Sequence, residues 1–159
     1  MPIPRAPLGD VTTSTAVAAL FEQLHDELRD LVRSVDHETL NFVPCPEANS
    51  IATIVTHVLG SEAEALRSVA GLPVTRDRDA EFQHGTQSHA SVFRQLDEAD
   101  EIVAAVLPRL TAERLVTLTS LPTLDPDERR PGVTWLVGNL GHAREHVGHA
   151  SLTKQLASG

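Results

Sequence analysis

Three histidines crowd into the run Gly141-His142-Ala143-Arg144-Glu145-His146-Val147-Gly148-His149. Imidazole carries protons near neutral pH and ligates divalent metals. On a helix, residues four apart lie about 40° apart around the axis and roughly 6 Å along it. His142 and His146 would then point the same way and reach one ion. Zinc proteases use the same spacing in HExxH, but Ala143, Arg144 and Glu145 intervene here, so that motif is absent. His149 would stand roughly 10 Å from His142 along the axis. All three cannot share one ion, so His149 either neighbours the site or competes with His142 for the ligand role.

A pair of this kind is often plain solvated surface, and a metal site needs a third ligand from elsewhere. His57 is the candidate, in Ile51-Ala52-Thr53-Ile54-Val55-Thr56-His57-Val58-Leu59. With Ser50, Thr53, Ser61 and Glu64 it forms a narrow polar stripe beside an apolar helical face. Taken alone, that stripe reads as a solvated edge. Glu62 falls inside the apolar face, beside Val58, Ala65, Leu66 and Val69. A buried carboxylate is costly unless paired. Glu62 is therefore either salt-bridged, to Arg67 or Arg144, or an acid–base group near the metal. His25, His37, His84 and His89 lack partner spacing and are expected at the surface. Cys45 sits in a Pro-flanked loop with no base beside it and is expected to be inert.

These residues need helices to position them. Thr12, Thr13 and Ser14 offer N-caps to a first helix, whose Val17, Leu20, Phe21, Leu24, Leu28, Leu31, Val32 and Val35 recur at three and four. It is expected to continue until just before Asn41. A second helix should start at Asn49 or Ser50 and stop at Gly71. A third should run from about Ser88 to Leu107, with Pro108 closing it. The last should start at Gly132 or Thr134 and reach about Leu156. Between them, Thr111-Ala112-Glu113-Arg114-Leu115 reads as one capped turn, and Val116, Leu118 and Leu121 alternate like a short strand. Residues 1–10 read as an extended Pro-rich leader. The 159 residues, 41% of them apolar, suit one domain with one core. The fold class expected is all-α, a four-helix bundle.

With the order of these segments established, the chain resembles the DinB-like superfamily of bacterial helical-bundle proteins. The stretch from Asn49 to Glu62 looks like its second helix with the first histidine ligand. The stretch from Gly71 to Phe82 is similar to an Arg-x-Arg-x-x-Glu-Phe loop found in one branch. The run from His142 to His149 looks like its C-terminal helix. The resemblance implies a four-helix bundle with a long crossover connection, often a homodimer. It implies a nickel or zinc ion held by His57, His142 and His146, with open positions. The choice of His142 over His149 rests on that pattern. Relatives with assigned chemistry use mycothiol or bacillithiol in isomerase or S-transferase reactions.

The function expected is thus a divalent-metal-dependent enzyme, either a transferase using a low-molecular-weight thiol or a metal-dependent hydrolase. Glu62 would orient a ligand or move a proton, and Arg76, Arg78 and His149 would bind the small-molecule substrate. Two other readings compete: a non-catalytic metal-binding stress-response protein, and a structural helical dimer without metal. The net charge of -9 and the 3% aromatic content argue against nucleic-acid binding. One cysteine gives no internal disulfide. With no signal peptide or membrane-spanning run in view, a cytoplasmic protein is expected.

Overall fold

The computed structural model describes residues 12–83 and 85–159; the leader expected over residues 1–10, and His84, lie outside them. Six helices follow in order: α1 (Thr13–Arg33), α2 (His37–Asn41), α3 (Ile51–Ala70), α4 (His89–Val106), α5 (Ala112–Val116) and α6 (Gly132–Ala157). Two short strands, β1 (Leu118–Thr119) and β2 (Arg130–Pro131), pair antiparallel between α5 and α6.

Local chemistry sets the ends. Thr12, Ser50 and Ser88 cap α1, α3 and α4, each side chain accepting from a backbone N–H three residues on. Gly71 ends α3 with φ 71°, a left-handed turn that a Cβ would disfavour. The first helix is shorter than its periodicity suggests. It stops at Arg33, where the Ser34 hydroxyl donates to the Leu31 carbonyl at 2.6 Å. Asp36 then caps the separate α2 by accepting from the Thr39 N–H. A local side-chain bond thus wins over continued apolar spacing.

Four long helices form the bundle. α3 packs on α6 and α4, and α1 packs on the same two, so α1 and α3 lie diagonally opposite. The connection from α4 to α6 crosses the other diagonal and carries α5 and the strand pair. Trp135 pins that crossover to α6: its indole N–H donates to the Thr119 carbonyl at 2.6 Å. Phe21, Leu24, Leu28 and Val32 of α1 meet Val55, Val58, Leu66 and Val69 of α3 and Leu96 and Val103 of α4 in one core. Each such side chain contributes roughly 1.5–3 kcal/mol on burial. Apolar residues on α6 lie all round it: Leu136, Ala143 and Ala150 are buried, whereas Val137, Leu152 and Leu156 are exposed. Among the described residues no helix is long and apolar enough to cross a membrane.

The polar stripe of α3 is not a solvated edge. Ser50, His57 and Glu64 are buried, and Ser61 accepts from the Asn139 amide at 2.9 Å. The stripe faces α6 and the 72–83 segment. His25, expected at the surface, is fully buried in the bundle. Its Nε2 meets Glu62 at 2.8 Å and its Nδ1 meets Asp100 at 2.5 Å. Arg29 completes the cluster, bonding Asp97 at 3.0 Å and also Asp100. The buried carboxylate of α3 therefore finds its partner on α1, and neither Arg67 nor Arg144 is that partner. Arg144 instead pairs with Glu27.

Candidate metal centre

His57 enters from α3, and His142 and His146 enter from α6. One ring nitrogen of each lies within 4.8 Å of the others. His57 Nε2 and His142 Nε2 are 3.2 Å apart. The rings meet edge to face, with centroids 4.4 Å apart for His142–His146, 5.0 Å for His57–His146 and 5.4 Å for His57–His142. The spacing of four on α6 supplies one side of this arrangement. The close packing of α3 on α6 supplies the other.

Protonation favours ligation. Burial lowers the pKa of His142, and the neighbouring His57 lowers it further. His146 is pushed down to about 4 by burial and then by the charges of His142, His57 and His149. Both shifts favour the neutral ring, the form of imidazole that ligates a metal. His146 Nδ1 is also buried with no hydrogen-bond partner among the described residues. An unpaired buried polar atom is costly, and a cation among the three rings is one group that answers such donors. The residues present fit a divalent ion of the borderline type that imidazole favours.

His57 is oriented from behind. Its Nδ1–H donates to Glu81 Oε2 at 2.9 Å, which leaves the Nε2 lone pair facing α6. Glu81 is itself gripped by Arg76, whose Nε and Nη2 donate at 2.6 and 2.9 Å. Arg76 Nη1 donates to Glu64 at 2.7 Å. Glu64 in turn accepts from the Thr123 N–H and hydroxyl at 2.8 and 2.7 Å. Burial alone would raise the pKa of Glu81, but Arg76 and His57 outweigh it and hold the carboxyl below its usual range. Gly60 makes room: a Cβ there would stand 2.1 Å from Glu81 Oε1. A ring on α3, a loop residue and the crossover near Thr123 are thereby tied in one chain of bonds.

The other candidates divide. Glu62 lies in the His25 cluster, away from the three rings. Burial pushes its carboxyl up, against the opposing pull of His25. Arg76 is spent on Glu81 and Glu64. Arg78 is exposed, with its guanidinium 5.8 Å from the Phe82 ring, and Phe82 lies 5.1 Å from the His57 ring. His149 is exposed, 5.5 Å from His146 and outside the ligand set. Behind the Glu81–Arg76 pair, α3, α4 and residues 74–77 line an open pocket of about 470 Å³, bordered in part by Thr56, Leu59, Ala63 and Gln95; none of the three histidines lines it. Sequence reasoning missed Glu81 and Glu64 as supports. The signal available was an Arg-rich loop carrying a Glu next to Phe82.

The family model of the DinB superfamily matches residues 20–150. The chain belongs to that superfamily. A crystal structure described as the conserved protein of a locus from Enterococcus faecalis shares the fold, with a TM-score of 0.72 at 12% identity. That likeness covers 92% of this chain and 98% of the other. No curated protein matches the sequence.

Proposed function

We propose that the protein is a divalent-metal-dependent enzyme that transfers a group to or from a low-molecular-weight thiol, with His57, His142 and His146 holding one nickel or zinc ion. The observation that carries this reading is the convergence of three ring nitrogens within 4.8 Å, from two helices, with His57 oriented by a buried carboxylate. A divalent ion bound by three neutral ligands keeps open positions and lowers the pKa of a coordinated thiol or water. The remaining work falls to the chain's own groups. Glu81 and Arg76 keep the His57 lone pair aimed. In this reading His149, exposed one turn beyond His146, takes the proton that the thiol loses. The thiolate then forms a bond to an electrophilic carbon as that carbon's leaving group departs.

The reading includes a cytoplasmic homodimer. Val137, Leu152 and Leu156, exposed along α6, are the apolar surface a second copy would cover.

The test is elemental analysis of protein purified without a histidine tag, beside His57→Ala and His146→Ala. About one equivalent of metal, lost in both variants, supports the site, and thiol-dependent turnover of model electrophiles that disappears with it supports the activity. No metal in the wild type after incubation with nickel or zinc overturns the reading.

A further inference from the structure

Phe82 lies against the His57 ring of the three-histidine centre, and Arg78 lies over Phe82. Phe82 is 41% exposed, and its ring centroid lies 5.1 Å from that of His57. Arg78 lies over the outer part of the same phenyl ring. Among the described residues its guanidinium has no carboxylate partner, whereas buried Arg76, two residues earlier, has two. The position is what distinguishes this arginine from other exposed ones. Arg78 reaches the centre through Phe82, whose ring packs against that of His57.

The charges around the centre point the same way. Glu81 is matched by Arg76, which also serves Glu64. On α6, Glu145, next to His146 in the chain, is exposed. Imidazole rings contribute no negative charge. A divalent ion there, with Arg78 beside it, makes a local positive field in a protein whose net charge is -9. An exposed, unpaired guanidinium next to a cation site is repelled by it unless an anion lies between them.

We infer that Arg78 and Phe82 form the recognition platform of the centre, and that its ligand joins a flat apolar portion, laid on Phe82, to a carboxylate bonded by Arg78. This rests on the three-histidine reading and names the chemical class that the site selects. The side chains determine specificity and take no part in holding the metal.

The experiment compares 3-mercaptobenzoate with its neutral amide, 3-mercaptobenzamide, by calorimetry on zinc-loaded protein, with zinc content measured separately. Wild type should bind the carboxylate about tenfold or more tighter, the size of a charge-assisted hydrogen bond. Arg78→Ala should bring the two within about twofold, with zinc content unchanged. Phe82→Ala should weaken both by a similar factor and leave 3-mercaptopropionate unaffected. Equal affinity for the two probes in the wild type, or a preference that persists in Arg78→Ala, overturns the inference. If the protein holds no zinc, the metal reading fails on its own measurement. The same pair of probes on metal-free protein then decides the platform: an Arg78-dependent preference upholds it, and none refutes it.

Discussion

Glu81 Oε2 receives the Nδ1–H of His57 at 2.9 Å, and the carboxylate occupies the space that a side chain on Gly60 would fill. The orientation of one candidate ligand thus depends on the absence of a methyl group on its own helix. Gly60→Ala should lower metal affinity by about 10–100-fold, the usual effect of disturbing a ligand's supporting partner. Alanine gains up to about 1 kcal/mol of helix propensity over glycine, so thermal stability should change little beside the loss in affinity. Competition with a chelator of known affinity, with a melting curve alongside, separates the two effects. Unchanged affinity would show that Glu81 does not set the ring.

Arg76 holds two buried carboxylates with one planar group. Arg76→Lys keeps the charge but cannot reproduce the fork that reaches Glu81 and Glu64 together. Removing one partner of a buried pair costs about 3–5 kcal/mol. The lysine variant should recover less than half of what Arg76→Ala loses, in chemical denaturation and in metal affinity alike. Full rescue by lysine would mean that charge alone suffices.

The His25 cluster bears on stability and should leave the metal site unchanged. Burial disfavours the charged ring, but the hydrogen bonds and charges of Glu62 and Asp100 outweigh it, so the pKa of His25 is raised. The stabilisation from this cation is full below the unfolded value near 6.5 and is lost as pH rises through the higher folded value. His25→Leu leaves Glu62 buried without its partner and should cost about 3–5 kcal/mol. His25→Leu with Glu62→Leu should be the more stable of the two variants, because both charges leave the core together. Both should keep the wild-type metal content if they fold. A double variant weaker than the single one would contradict this account.

His146 gives the opposite sign. Its folded pKa is about 4, against about 6.5 for an unfolded histidine. Between those values the unfolded chain binds more protons, so the contribution of neutral His146 is full above about pH 6.5 and falls away as pH drops toward 4. An imidazole NMR titration of metal-free protein should place the His146 midpoint near 4. Its melting temperature should fall across that window, with a shallower slope in His146→Leu. A midpoint near 6.5 would refute the burial argument.

Helices α1, α3 and α4 were legible because their apolar residues repeat at three and four and their caps are Thr or Ser, whereas α6 follows Pro131 without a side-chain cap and carries apolar residues all round. The observed α3 begins one residue after Ser50 and ends at Ala70, before Gly71, as the caps suggest. The break at Ser34 was not legible, since Leu31, Val32 and Val35 continue the helical spacing through it. The cluster of His57, His142 and His146 followed from spacing on α6 together with family resemblance. Its supports did not, because Glu81 and Glu64 reach it through tertiary contacts with Arg76 and Thr123 that have no sequence period. His25 looked like surface for the same reason: its partners Glu62 and Asp100 are on other helices.

His57 and His142 are 85 residues apart in the chain. An ion gripped by both would act as a removable staple, closing a loop that contains most of α3, all of α4 and the whole crossover. By the chain-entropy rule for cross-links, a loop of that size corresponds to about 4–5 kcal/mol, comparable to the whole stability of many domains. Metal supply would then set how long the folded protein survives as well as whether it works. A cell starved of the ion would lose the activity and, soon after, the protein.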